Sequence, residues 1–269
     1  MDAAEIGIIG GSGLYEFLSS PTLVEVETPF GAPSAPLAIG RLSGRTVAFL
    51  PRHGRRHEFA PHQVNYRANL WALRSVGVRQ VLAPSAVGSL RPEFGPGTVV
   101  VPDQVVDRTW GRAHTVYDDA GPVAHVSFGD PYCPRGRRVV VEARDDIVDG
   151  GVLVVVNGPR FSSRAESAWH AAQGWSVVGM TGQPEAAIAR ELAMCFTCIA
   201  LVTDLDAGVV AGGSVTHTEV MQMFAANVDR LKDLLAAVVA GLPPYESDHD
   251  ASCQCRRALD GLSLPFTLP

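Results

Sequence analysis

Short apolar runs that stop abruptly in glycines or charged groups recur along the chain. Between them lie longer stretches with apolar residues every three or four positions. The first pattern predicts buried strands that deliver polar groups at their carboxyl ends, and the second predicts amphipathic helices. Strands are expected over residues 5–10, 46–50, 81–83, 97–103, 152–156, 176–179 and 199–206, with 104–108 carrying on from the fourth and a loop and strand over 21–30. Helices are expected over 65–76, 138–147, 165–173, 184–195 and 218–240. The last has Val220, Phe224, Val228, Leu231, Leu235 and Val238 on one side. Residues 109–135 have no period and read as a long loop with a short strand around His125, of the kind that serves as a lid or an interface. From about residue 242 the chain becomes a Pro-rich and then short apolar tail. Alternating strands and helices without a repeat or linker predict one α/β domain over 1–269.

The totals narrow the function. With 269 residues, 46% hydrophobic and 19% charged, the chain can bury a sizeable core and is unlike a disordered one. A net charge of -6 argues against a nucleic-acid partner, which needs a basic surface. No run of about 18 apolar residues signals a membrane span. The opening Met-Asp-Ala-Ala-Glu is acidic where a signal peptide is basic, so the protein is expected to be cytoplasmic.

Five cysteines, an odd number, argue against a full disulfide framework. Cys195 and Cys198 have a C-x-x-C spacing but no second ligand pair nearby, so buried structural thiols are expected there and no metal site. Cys253-Gln-Cys255 is either a local disulfide or two thiols in a mobile tail.

Candidate chemistry gathers just past the strand ends. In Ile199-Ala-Leu-Val-Thr-Asp-Leu-Asp206 an apolar run presents Asp204 and Asp206, which share a face if the strand continues. Paired carboxylates suit proton transfer or acceptance from an amino-substituted ring, though Asp also starts turns and caps helices. Gly10-Gly-Ser-Gly13 lacks the third glycine of a dinucleotide fingerprint; it is either an anion nest with the Ser12 hydroxyl or an ordinary tight turn. Arg52, His53 and their neighbours after the second strand fit a phosphate site, or a solvated basic loop. Ser12, Arg52, Ser85, Phe161, Thr181 and Asp204 all follow strands, and open α/β sheets place their site beyond the strands' carboxyl ends.

The motifs Gly7-Ile-Ile-Gly-Gly-Ser-Gly-Leu14, Arg52-His-Gly-Arg55, Val64-Asn-Tyr-Arg-Ala-Asn69, Gly158-Pro-Arg-Phe-Ser-Ser-Arg-Ala-Glu-Ser167, Met180-Thr-Gly-Gln-Pro-Glu185 and Thr203-Asp-Leu-Asp206 are specific in combination. Over about residues 5–240 the chain resembles the trimeric branch of the purine nucleoside phosphorylases, which includes the 5′-methylthioadenosine phosphorylases. The resemblance implies a mixed sheet flanked by helices and a homotrimer that could pair into hexamers. It implies a small nucleoside and phosphate as substrates, with no metal or organic cofactor. Phosphate would attack the N-glycosidic bond and release a free base and a ribose 1-phosphate. By the same resemblance Ser12, Arg52, His53, Ser85, Ala86 and Thr181 hold phosphate. Phe161, Ser162, Met180, Leu205, Met221 and His125 face the nucleoside, His125 from a neighbouring subunit. Asp204 and Asp206 hold the purine N7 and 6-amino group, and Asp204 serves as general acid. Two carboxylates favour adenine over a 6-oxopurine. One departure concerns His217, which stands where the methylthioadenosine enzymes carry a small apolar residue beside the 5′ group. A histidine there suits a 5′-hydroxyl, can pack beside a thioether, or can face water at a helix start.

Overall fold

The computed structural model describes residues 3–11, 14, 17–118, 123–209, 215–245 and 253–269. In chain order the elements are β1 (Ile6–Gly10), β2 (Ser19–Val24), β3 (Leu37–Leu42), β4 (Arg45–Pro51), α1 (Tyr66–Ser75), β5 (Gln80–Ser89), β6 (Val99–Val101) and β7 (Gln104–Arg108). Then come α2 (Pro134–Glu142), β8 (Ile147–Asp149), β9 (Val152–Val156), α3 (Arg164–Ala172), β10 (Val177–Gly179), α4 (Glu185–Glu191), β11 (Cys195–Leu205) and α5 (His217–Gly241).

One mixed sheet organises them. Its main path runs β2-β3-β4-β1-β5-β10-β9-β7, and β11 lies along β5 with β6 and β8 beyond it. β5 is the branch point. It is parallel to β1 at its start, parallel to β11 along its length, and antiparallel to β10 at its last two residues. A strand can serve three neighbours only by changing partner along one edge, and the ten residues of β5 are long enough to do so. The parallel strands β1, β4, β5 and β11 bring their carboxyl ends to one rim.

Two apolar layers cover the central strands. Alternation sends Ile6 and Ile8 into the layer closed by Leu231, Leu235 and Val238 of α5, and Ile9 into the layer holding Leu70 and Leu73 of α1 and Ile188 of α4. The expected tail folds back onto this second layer. Phe266 stacks on Tyr117 at 5.3 Å and meets Trp71 edge-on at 5.4 Å, while Leu264 and Leu268 pack beside it.

Several boundaries differ from expectation for local reasons. Helix α2 starts four residues earlier than expected, because Cys133 is its N-cap and Pro134 suits the first turn. Helix α4 ends at Glu191, and Ala193 at φ 49 turns the chain so that Cys195 opens β11 and is no part of a helical stripe. Among the described residues no strand forms around His125. Cys195 and Cys198 are both buried, as expected. Cys195 clusters with Cys133, Cys253 and Cys255, all buried, whereas Cys198 lies apart, its thiol bonded to Ser85 and pushed up to about 12 chiefly by burial. The sulfurs that meet Cys195 come from positions distant in sequence.

Gly136 shows how closely α2 approaches β11: a Cβ there would overlap Thr197 Oγ1 and lie 3.3 Å from its Cβ. Helix propensity favours Gly136→Ala by about 1 kcal/mol. Overpacking against the buried Thr197 opposes it by about 1–3 kcal/mol. Urea unfolding should show net destabilisation; a stabilised variant would mean that the contact yields.

Candidate active site

A cavity of about 490 Å³ opens at the rim where the strands end. Its floor is set by Arg52, just past β4. The guanidinium is 2% exposed and forms a bidentate pair with Glu185 at the start of α4, with Nε and Nη2 donating at 2.6 and 3.1 Å. Nη2 also donates to Ile9 O, and Nη1 to Pro84 O. Among the described residues four of its five N–H groups are therefore taken, and one on Nη1 remains at the cavity. The neighbouring His53 places Nδ1 2.9 Å from Phe59 O. A carbonyl only accepts, so Nδ1 carries the proton. Burial, then the Arg52 charge, lowers the imidazole to about 4. At neutral pH Nε2 is thus an acceptor. Ser85, Ala86 and Thr181 line the same end, together with Gly11.

At the other end stand the two carboxylates. A bulge between Val202 and Asp204 inserts Thr203 into the β11–β5 ladder, and Asp204 then pairs with Gly88. A Cβ on Gly88 would lie 3.0 Å from Asp204 Oδ1 and 3.2 Å from Asp206 Cβ, so both aspartates cross the strand over a position without a side chain. Both line the cavity. Leu205, between them, does not, since the alternation that pairs its neighbours turns it away. Thr203 donates to Asp204 Oδ2 at 2.8 Å. Burial raises the Asp204 carboxyl from its ordinary 3.8 to about 6; the Thr203 bond opposes this and the Asp206 charge adds to it. Asp206 is 4% exposed, and its Oδ2 is buried without a hydrogen-bond partner among the described residues.

Phe161, Ser162 and Met180 form one wall, and His217, Val220, Met221 and Phe224 of α5 form another. The apolar stripe of α5 therefore does two jobs. Leu231, Leu235 and Val238 are buried in the core, while Val220 and Phe224 face the cavity. Thr216 caps the helix reciprocally with Glu219 and so places His217 on its first turn. His57 lines the cavity too, stacked on His53 at 4.5 Å; its pKa is lowered by burial and by the nearby His217.

Ser12 lies outside the described residues. His125 is exposed and does not line its own chain's cavity. Sequence reasoning missed Glu58 and Gln63, which line the cavity, and above all Arg112. Arg112 is 7% exposed within the irregular loop, and its guanidinium donates to Asn157 O, Met180 O and Gln183 O at 2.9, 2.9 and 2.5 Å. It clamps the turns that present Met180, Thr181 and Phe161. A lone Gly-Arg in a loop carries no sequence signal of such a role.

The phosphorylase superfamily model matches residues 5–240. A purine nucleoside phosphorylase of Streptomyces coelicolor is 58% identical over 99% of this chain and 98% of its own length. An S-methyl-5′-thioadenosine phosphorylase of Mycolicibacterium smegmatis is 52% identical over 98% and 99%. Among solved structures, a methylthioadenosine phosphorylase from an antarctic soil metagenomic library superposes with a TM-score of 0.88 at 39% identity, covering 97% of this chain and 92% of its own.

The Asp204 carboxyl has a testable consequence for stability. Its folded pKa is raised, so its contribution to stability is fully present below about pH 4 and is lost as pH rises through about 6. Asp204→Asn removes that loss. Relative to wild type the variant should gain up to ~2 kcal/mol between about pH 4.5 and 7.5 in urea unfolding, allowing for partial exposure. A difference that does not move with pH would place the Asp204 titration elsewhere.

Proposed function

This chain belongs to the phosphorylase superfamily, and we propose that it is a pentosyltransferase that cleaves 5′-methylthioadenosine with phosphate, giving adenine and 5-methylthioribose 1-phosphate. The observation that carries the reading is the carboxylate pair: Asp204, raised by burial to about 6, beside an Asp206 whose buried Oδ2 has no hydrogen-bond partner among the described residues. A purine supplies what both lack. Asp204 gives its proton to N7 as the glycosidic bond breaks, and Asp206 accepts from the 6-amino group. A 6-oxo group there would leave Asp206 an unpaired acceptor, at a cost of about 1–3 kcal/mol.

Phosphate occupies the opposite end. Ser12, Ser85, Thr181, the Ala86 backbone and the remaining Nη1 N–H of Arg52 donate to it, while the acceptor Nε2 of His53 accepts from the hydroxyl of hydrogenphosphate. Between the ends, Phe161 and Ser162 hold the base and Met180 covers the ribose. The anion lies below the sugar, where its charge stabilises the oxocarbenium ion as the base leaves. No metal or organic cofactor takes part in this scheme.

A second reading rests on His217. It lines the cavity on the first turn of α5, and the Streptomyces coelicolor relative is named for purine nucleosides. In that reading His217 donates to a 5′-hydroxyl and adenosine, or another 5′-substituted 5′-deoxyadenosine, is the substrate. Adenine release from methylthioadenosine and adenosine, each with and without phosphate, with hypoxanthine release from inosine as the 6-oxo control, separates the two. We expect an absolute phosphate requirement and a preference for methylthioadenosine of about tenfold or more, equivalent to ~1.4 kcal/mol of transition-state discrimination. Equal or faster adenosine cleavage would establish the second reading, and preferred inosine would sink the assignment of the aspartates. His217→Val should raise the ratio of kcat/KM values toward the methylthio substrate. An unmoved ratio would remove His217 from the 5′ pocket.

We further propose a cytoplasmic homotrimer in which His125 of one subunit completes its neighbour's 5′ pocket. Trp110 and Val123 in the same loop region, 74% and 68% exposed, support an assembly that covers them. Light scattering should return the mass of three chains or a multiple of it. A monomer of full activity would refute the shared site.

A further inference from the structure

Four of the five cysteines come together at the end of the sheet opposite the cavity. Cys133 caps α2, Cys195 opens β11, and Cys253 and Cys255 arrive from the C-terminal segment. Their sulfurs all lie within 4.8 Å of one another, and all four residues are at most 4% exposed. Cys195 precedes Asp204 by nine residues of one strand, so the cluster is roughly 30 Å from the carboxylates at about 3.3 Å per residue. The proposed chemistry uses none of these thiols.

We propose that Cys133, Cys195, Cys253 and Cys255 form a tetrathiolate site for one zinc ion, which fastens the C-terminal segment to the body of the domain. Cys253 Sγ is 3.5 Å from Cys133 Sγ and 3.4 Å from Cys195 Sγ. A sulfur tetrahedron around zinc, with Zn–S near 2.3 Å, has edges of about 3.8 Å. A disulfide needs about 2.05 Å and joins sulfurs only in pairs. Cys253 is shared almost equally between two partners, so a central ion satisfies the arrangement and a single pairing does not. Soft thiolates in tetrahedral array select zinc over the hard divalent cations.

The surroundings favour thiolates. Arg190 Nη2 lies 3.8 Å from Cys255 Sγ, a charged donor beside a centre that would carry a net negative charge. That guanidinium is itself fixed by the Ser127 and Asp130 carbonyls. Binding forms four Zn–S bonds and releases the four thiol protons to solvent, with no change in oxidation state.

The test uses the full chain, purified under reducing conditions without chelator and then incubated anaerobically with zinc sulfate. Metal analysis should find about one zinc per chain, and X-ray absorption at the zinc edge should find four sulfurs at about 2.3 Å. Cys253→Ser combined with Cys255→Ser should lose the ion. Where that variant does not fold, chelator added to wild type is the second measurement; it should remove the ion and lower Tm by about 5 °C or more. Below about a tenth of a zinc per chain after loading, the proposal fails. It fails equally if iron is the bound metal, or if the non-reduced protein is lighter by the hydrogens lost to two disulfides.

Discussion

The buried ion pair between Arg52 and Glu185 is the constraint on which the site depends. Both side chains are almost wholly out of water, at 2% and 0% exposure. Desolvating two such charges is expensive, and the cost is offset only when geometry is good and remaining donors are satisfied. Here they are: the guanidinium reaches the carbonyls of Ile9 and Pro84 as well as both carboxylate oxygens. One side chain thereby ties the end of β1, the middle of β5 and the start of α4 beneath the cavity. Burial, and after it the same charge, keeps the neighbouring His53 imidazole neutral, which decides what its other nitrogen can do.

A second arginine performs the equivalent task above. Arg112 comes from the irregular loop and binds carbonyls in the turns after β9 and β10. Backbone carbonyls at strand ends have lost their ladder partners, and a guanidinium can satisfy several at once. The cavity is thus framed by two buried cations that hold backbone in place, while the carboxylates lie at the far end on a bulged strand. Separation of this kind suits a reaction that brings an anion to one end and draws a proton at the other.

The two ends of β11 divide the labour. Its carboxyl end carries Asp204, raised by burial toward neutrality of pH. Its amino end carries Cys195 in a thiol cluster that gathers the C-terminal segment. The strand between is buried without interruption from Cys195 to Thr203. A rigid, doubly paired strand can hold both groups in register because neither end is free to slide.

Much of this was legible in the chain itself. Continuous apolar runs that stop in polar groups marked β1, β4, β9 and the carboxyl end of β11, because a strand buried on both faces has to be apolar and its end has to be polar. The apolar period of α5 was equally plain. That period could not tell Val220 and Phe224, which wall the cavity, from Leu231 and Val238, which fill the core, since burial depends on what faces a helix and not on the helix alone. Three further features were decided only by the tertiary fold: the three-neighbour branching of β5, the bulge at Thr203 that sets Asp204 opposite Gly88, and the grouping of Cys133, Cys195, Cys253 and Cys255. Each joins residues far apart along the chain or depends on one extra residue in a ladder, and local sequence carries no record of either. Sequence alone determined which chemical groups the protein has and where along its strands they lie. Tertiary structure determined which of them meet, because proximity in a packed sheet is set by strand order and register.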